Sequence, residues 1–361
     1  MQQLGGTGNA ADVGNGLEHA NLRQLHTSPK VNYRRSISQL WRMVRLPILA
    51  APACRCPTMK TLPPTPLHPV KIILAMAFVV ACWGYSPTGI HIGLLAYDPV
   101  HLALLRFLLA SVFMAAVAMF KGIRLPNLRD LPLMFGLGFF AVSLHHVAIN
   151  FGQQGVSAGA SSVLAQTTPL FSTLIARFVF KDQVSLWRWG CVLLGLFGVM
   201  IVVAGDHGLG SIDAHGLLIL LAAVSWSLYF ALQKHHTGRY DGLTLVCYTV
   251  WSGTVLLLVY LPGLVDQVAQ APLRVQFAVI ALGIFPSALA YLAWAYVLAH
   301  VDLSRATMTL YLTPPTAMVI ASYALGERPT LMIVVGGLVV LASVLALNLE
   351  RRVVIAQVVR V

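Results

Sequence analysis

A serine between two glycines is the first candidate for a reactive side chain in this sequence. Gly155, Ser157 and Gly159 match G-x-S-x-G, the pattern of a serine nucleophile, and His145 and His146 precede them by about ten positions. That nucleophile requires a strand before the serine, whereas Ser157 opens an apolar segment of helical length. A helix N-cap is therefore the favoured interpretation of Ser157. A serine hydrolase with His145 or His146 as its base is the alternative.

Two pairs of adjacent histidines, His145 with His146 and His235 with His236, suggest metal binding at first sight. Neighbouring side chains on a helix point about 100° apart, so the two rings of a pair cannot ligate one ion. We therefore predict no metal site. A histidine of the first pair that faces a polar cavity would titrate near neutral pH and carry protons. Helix packing or an interfacial position is the alternative.

Arg106 is a cation about two turns inside an apolar segment. An unpaired charge is expensive there, so the side chain should face protein, water or the membrane interface. Structural anchoring is the favoured role, and attraction of an anion is the alternative. Together with His91, His145 and His146, Arg106 forms the predicted polar or proton-linked pathway.

The composition decides what kind of protein carries these residues. Charged residues make up 10% of the 361 positions, hydrophobic residues 58%, and the mean hydropathy is +0.77. Soluble domains carry roughly 25% charged residues, so a water-soluble fold is excluded. Five unevenly spaced cysteines provide no disulfide framework. The chain is predicted to be an all-α membrane protein.

Hydrophobicity divides the chain near residue 70. Residues 1–69 are basic and rich in Gly, Pro and Asn. They contain no apolar run that approaches the roughly 20 residues needed to span a bilayer. They are predicted to be a disordered N-terminal extension, with a transit peptide or an over-extended start as alternatives. We expect residues 1–58 to be dispensable. Ten apolar segments of near-spanning length follow, at about 71–92, 101–120, 131–151, 158–179, 186–204, 215–234, 243–262, 276–298, 304–325 and 331–349.

The basic residues predict the orientation of these segments. The net charge of +12 comes from Lys and Arg that mostly flank apolar runs, which argues against nucleic-acid binding. With a cytoplasmic amino terminus, the outer connections carry Arg274 and Arg328, and nine basic residues fall on the inner connections. Both termini, including the tail over residues 351–361, are therefore predicted to be cytoplasmic. The inner residues are Lys121, Arg124, Arg129, Arg177, Lys181, Arg188, Lys234, Arg239 and Arg305.

An internal repeat relates the two halves of the chain. An offset of 145 positions aligns Pro169 with Pro314, and an offset of 143 aligns Trp83 with Trp226. The repeating unit contains five apolar segments, which gives repeats over residues 70–205 and 206–350. An odd number of spans forces the second copy into the membrane upside down. We therefore expect two five-helix inverted repeats, the usual architecture of a secondary transporter.

These residues also carry a family resemblance. The stretch 155–203, with its Ser-rich start, Pro169, Asp182 and a Gly-rich fifth segment, resembles the EamA-type unit of the drug/metabolite transporter superfamily. A second copy contains Pro314 and Glu327, and the resemblance covers roughly residues 71–350. It implies ten helices around a central pathway and transport of small metabolites. Many relatives have a lysine where this chain has His91.

The repeat predicts a solute site between segments 1, 4, 6 and 9. Gln166 and Tyr311 each stand three residues before a repeat proline, which frees a backbone carbonyl about one turn upstream. Gln166 provides an amide and Tyr311 a hydroxyl on an aromatic ring. Trp83, Trp226 and Tyr229 supply apolar walls. Helix packing is the alternative role for the aromatic residues.

The resulting expectation is a secondary transporter or exporter of small, amino-acid-like or related amphipathic metabolites in the cytoplasmic membrane. Its partners would be the solute, the lipid bilayer and, through glycine-rich helix faces, a second copy in a homodimer. No cofactor or nucleic acid is expected. An intramembrane serine hydrolase and a scaffold that moves no solute are the alternatives.

Overall fold

The computed structural model describes residues 69–179, 181, 183–207, 214–235, 240–301, 306 and 309–358. The predicted extension lies outside these residues except for Pro69, and so do Asp182, Asp302 and His236. Every regular element in the described residues is helical, which agrees with the expected all-α class. In chain order the helices are α1 Pro69–Gly93, α2 Pro99–Lys121, α3 Leu128–Gly152, α4 Ala158–Ala165, α5 Thr168–Phe178, α6 Leu186–His207, α7 Ala214–His235, α8 Gly242–Tyr260, α9 Leu264–Gln270, α10 Leu273–Leu298, α11 Thr313–Leu325 and α12 Leu331–Val358.

Seven of these helices, α1, α2, α3, α6, α7, α8 and α10, are long and apolar enough to cross a membrane. The other predicted segments are also helical but are shorter or broken. Segment 4 is divided between α4 and α5, segment 9 is α11 with a preceding turn, and the apolar described part of α12 is Leu331–Leu347. The chain is a multi-pass membrane protein, and the count of ten crossings stays a prediction. Helix α12 continues to Val358, past the predicted start of the tail at residue 351.

Two π-helical turns repeat at the offset found in the sequence. One covers Phe139–Leu144 within α3 and the other covers Phe285–Leu289 within α10, so their last residues are 145 positions apart. Such turns interrupt the ordinary helical hydrogen bonding, and they occur frequently at functional sites. Their repetition at corresponding places supports a shared architecture of the two halves.

A glycine precedes each π-helical turn and allows a close helix contact. A Cβ atom on Gly138 would lie 2.8 Å from the carbonyl oxygen of Thr249, and one on Gly283 would lie 2.9 Å from that of Arg106. The glycines are 145 positions apart and their partners 143. The same contact is therefore made twice, by α3 on α8 and by α10 on α2.

The glycine-rich faces of α6 and α12 pack against each other within the chain. A Cβ atom on Gly198 would lie 3.0 Å from the carbonyl oxygen of Gly336, and one on Gly195 would lie 2.4 Å from Leu170. These three glycines therefore serve close packing inside the chain. Since Gly195, Gly198 and Gly336 are occupied by contacts inside the chain, they give no support to a homodimer, which stays a prediction.

Candidate functional site

A cavity of about 230 Å³ lies between α1, α7, α8 and α10. For comparison, an apolar cavity of about 150 Å³ accommodates benzene. The cavity therefore has room for a small organic molecule. Its walls are mainly aromatic, and Gln233 contributes an amide. The lining residues are Trp83, Trp226, Tyr229, Phe230, Gln233, Gly242, Val246, Tyr291, Trp294, Ala295 and Leu298.

The aromatic rings of this cavity contact one another across helices. Trp83 of α1 packs edge-on against Tyr291 with ring centroids 6.2 Å apart, and against Trp294 at 5.6 Å. Trp226 of α7 packs against Tyr291 at 6.0 Å and against Tyr229 at 5.2 Å. Ring pairs at these distances stabilise each other and fix the wall geometry. The structure thus brings together three of the five predicted solute-binding residues.

The π-helical turn of α10 fixes the indole of Trp83. Because Pro286 has no N–H, the carbonyl of Leu282 four residues earlier lacks its helical donor, and Ser287 Oγ donates to it at 2.8 Å. The carbonyl of Pro286 accepts a hydrogen bond from Trp83 Nε1 at 3.2 Å. Proline chemistry in α10 therefore orients a side chain of α1 at the cavity wall.

Three of the four predicted polar residues, His145, His146 and Arg106, form a stack beside the cavity. His145 Nδ1 donates to the carbonyl of Ala222 at 2.8 Å, and its ring lies 4.8 Å from that of Trp226. The His146 ring lies 4.6 Å from His145 and 4.5 Å from Phe107. His146 is buried, and neither ring nitrogen has a hydrogen-bond partner. Adjacent side chains on a helix point about 100° apart, and these two rings accordingly face different helices, α7 and α2.

Arg106 lies at the other end of this stack. Its Cζ atom is 5.4 Å from the centroid of the Phe107 ring, and its Nε donates to Ser287 Oγ at 2.9 Å. The residue is 1% exposed, so it does not reach the membrane interface by snorkelling. His91, near the end of α1, has a buried Nδ1 without a partner, and no contact joins it to the stack.

Gln166 and Tyr311 do not line the cavity. Gln166 caps α4 at the break before α5, and Tyr311 lies in the 3-10 turn before α11, where its hydroxyl donates to the carbonyl of Val344 at 3.5 Å. The carbonyl freed by Pro169 is also occupied, since Thr168 Oγ1 donates to that of Ala165 at 2.9 Å. The cavity therefore lies among segments 1, 6, 7 and 8, not among segments 1, 4, 6 and 9.

Ser157 caps a helix, as the sequence favours. Its Oγ accepts from the backbone N–H of Ala160 at 3.2 Å and donates to Asp206 at 2.6 Å. His145 and His146 contact other helices, so the structure does not form the serine-histidine pair that a hydrolase would need. The described residues also contain no group of three His, Cys, Asp or Glu that could hold a metal ion.

Sequence reasoning missed Tyr291, Trp294 and Ser287. The repeat contained a signal, because Tyr291 stands 145 positions after His146, which the sequence had singled out. An aromatic residue in an apolar segment otherwise looks the same whether it faces lipid or a cavity.

Comparison with known protein families agrees with the two-repeat architecture. The model of the EamA-like transporter family matches residues 70–204 and again residues 215–349. Similar proteins include the uncharacterized transporter YdfC of Bacillus subtilis, 36% identical over 76% of this chain and 90% of its own length. A probable terminal-alkyne amino-acid exporter of Streptantibioticus cattleyicolor is 34% identical over 77% of this chain and 93% of its own.

More distant relatives extend the same picture. The uncharacterized inner membrane transporter YedA of Escherichia coli is 27% identical over 68% of this chain and 80% of its own. A solved crystal structure with a TM-score of 0.54 covers 79% of this chain and 99% of its own, at 17% sequence identity. That likeness shows the fold alone. The matched family and the named relatives are transporters, not enzymes.

Proposed function

This chain belongs to the EamA-like transporter family, and from that premise we propose that it exports small amphipathic, amino-acid-like solutes by alternating access. The observation that carries the proposal is the aromatic cavity, which is built from both matched stretches. Trp83 lies in the first stretch, whereas Trp226, Tyr229, Tyr291 and Trp294 lie in the second. The name of the Streptantibioticus relative, a probable amino-acid exporter, supports the direction and the solute class.

The charge distribution supports an orientation with both termini in the cytoplasm. Nine basic residues on the inner connections against two on the outer ones favour this arrangement. Under this orientation the ends of α7 and α10 that carry Gln233 and Leu298 face the cytoplasm. The cavity then lies in the inner half of the membrane, where a solute would enter for export.

Inverted repeats over residues 70–205 and 206–350 predict where the outer route lies. An offset of 145 positions relates the cavity residues Ala295 and Leu298 to Asn150 and Gln153 of the first repeat. An offset of 143 positions relates the cavity residue Gln233 to Ile90. The three corresponding residues of the first repeat are buried: Asn150 is 0% exposed, and Gln153 and Ile90 are each 1% exposed. Oδ1 of Asn150 and both polar side-chain atoms of Gln153 have no hydrogen-bond partner.

Buried polar atoms without partners are rare because each costs free energy. Asn150 and Gln153 would regain partners if the outer half opened and filled with water. These buried polar atoms support the proposal that the structure corresponds to one state of an alternating-access cycle. In that state the outer route is closed and the inner cavity is formed.

Transport by purified protein in proteoliposomes, with a radiolabelled amino-acid panel and with or without a pH gradient, tests this proposal. We expect uptake of at least one panel member, and a loss of rate or altered preference in Trp83→Leu and Trp226→Leu. Trp187→Leu is the matched control, because Trp187 is 58% exposed and lies outside the cavity. Uptake no greater than in empty vesicles would contradict the function, and equal effects of all three substitutions would contradict the site.

A further inference from the structure

Arg106 is a buried cation without a counter-ion in the described part of the chain. The residue is 1% exposed, and its Nη1 has no hydrogen-bond partner. No acidic residue whose side chain the structure describes forms an ion pair with Arg106. These acids lie near helix ends, in connections or in α9, and they are Asp98, Asp130, Asp206, Asp241, Asp266 and Glu327.

An unpaired guanidinium in a membrane interior is expensive, and a purely structural cation would be expected to have all its donors satisfied. Here Nε donates to the hydroxyl of Ser287, whereas Nη1 has no partner. That bond fixes the guanidinium plane while Nη1 remains without a partner. An arginine held in this way is prepared to bind an anion of matching shape.

Two adjacent residues of α10 link the guanidinium to the cavity wall. Ser287, which holds the guanidinium, is adjacent to Pro286, whose carbonyl holds the indole of Trp83. Tyr291, one turn further along α10, lines the cavity. A molecule among the aromatic rings would therefore have the charge of Arg106 near one of its ends.

The second repeat supplies no equivalent cation. The offset of 143 positions places Thr249 where the first repeat has Arg106, and Thr249 is also buried with an unpartnered Oγ1. A single charge on one side of a two-repeat cavity gives a bound solute one preferred orientation.

We propose that Arg106 binds the carboxylate of the solute while the apolar part of the solute lies among Trp83, Trp226 and Tyr291. This inference rests on the proposed transport function and narrows its substrates to small organic carboxylates with an apolar side chain. One guanidinium neutralises one negative charge, which favours a carboxylate over a doubly charged phosphate ester.

Ligand analogues test this assignment on the unaltered protein. L-phenylalanine, its amide and phenethylamine share an aromatic ring, and L-phenylalanine alone carries a carboxylate. We expect inhibition of panel uptake by L-phenylalanine to be roughly tenfold or more stronger than by either analogue, because a charge-assisted hydrogen bond is lost in both. Equal inhibition by all three compounds would overturn the proposal while leaving transport established.

Substitutions test the residue itself. Arg106→Gln should remove the preference for L-phenylalanine over its amide, and Arg106→Lys should retain part of it. Arg129→Gln, in the exposed first turn of α3, should leave it unchanged. If Arg106→Gln inserts poorly, Arg106→Lys decides. Lys keeps the charge but lacks the planar fork of the guanidinium, so the proposal expects a reduced preference for L-phenylalanine over its amide. A preference as large as that of the unaltered protein would indicate a structural role for the cation and overturn the proposal. Absence of uptake by the unaltered protein would instead refute the transport function.

Discussion

The hydroxyl oxygens of Ser111 on α2 and Thr254 on α8 lie 2.8 Å apart, and the two residues are separated by the same 143 positions as Trp83 and Trp226. Residues that a twofold repeat relates to each other can touch only near its axis. Ser111 and Thr254 therefore mark where the proposed axis in the membrane plane crosses the protein. The two indoles, by contrast, lie on walls of the cavity.

A disulfide between these two positions should leave transport intact. Points near the axis keep their separation when the repeats rock against each other, so crosslinked Ser111→Cys/Thr254→Cys protein should retain most of its uptake rate. The measurement is uptake before and after reduction, in a background whose five natural cysteines are replaced by serine. Crosslinked protein that is inactive until reduced would show that α2 and α8 separate during the cycle.

Labelling should distinguish the two halves of the pathway. Leu298→Cys, at the cavity, should react with an impermeant maleimide from the inner side, whereas Gln153→Cys, at 1% exposure, should react slowly from the outer side. Adding the best-transported panel member inside should accelerate labelling at 153 and slow it at 298. Leu95→Cys, 77% exposed in the connection between α1 and α2, is the control whose rate should not change. Parallel changes at 153 and 298 would contradict alternating access.

Two glycines of α6 should differ in their tolerance of a methyl group. A Cβ atom on Gly198 would lie 2.9 Å from the backbone nitrogen of Val340, so Gly198→Ala should destabilise the protein by about 1–3 kcal/mol. Gly190 has nothing within 4 Å of that position, so Gly190→Ala should be neutral or stabilise by up to about 1 kcal/mol. Thermal unfolding in detergent measures both. An equal loss of stability in both variants would mean that the contact with α12 is not the reason why alanine destabilises α6.

The sequence predicted the all-α class and the seven long apolar helices, because a bilayer imposes a length and an apolar composition on each span. It also indicated that Pro169 frees a carbonyl about one turn upstream, but it predicted neither the division of segment 4 into α4 and α5 nor the two π-helical turns. These features have local causes; for example, the hydroxyl of Thr168 replaces the backbone donor that Pro169 lacks. A hydropathy pattern does not indicate such a hydrogen bond. Helix boundaries were therefore more accurate than helix interiors.

The candidate site was predicted in part for a related reason. Trp83 and Trp226 were found because the repeat singled them out, whereas Trp294 was missed because nothing in its segment distinguishes a cavity wall from a lipid-facing surface. The roles of Gln166 and Tyr311 stay predictions. Comparing uptake by Gln166→Leu and Tyr311→Phe at equal membrane abundance tests whether another state of the cycle brings them to the solute.

Ser157 should prove to be a structural residue with two hydrogen-bonding roles. Its Oγ accepts from Ala160 N–H as the cap of α4 and donates to Asp206, so Ser157→Ala loses both bonds and should cost about 1 kcal/mol or more of stability. Ser157→Asn keeps an acceptor for the cap and a donor for the carboxylate, and it should restore stability and uptake. Ser157→Asp keeps the cap but places a second negative charge against Asp206, so it should be less stable than Ser157→Asn. A fluorophosphonate probe should not label the unaltered protein, and labelling that Ser157→Ala abolishes would instead establish a nucleophilic serine.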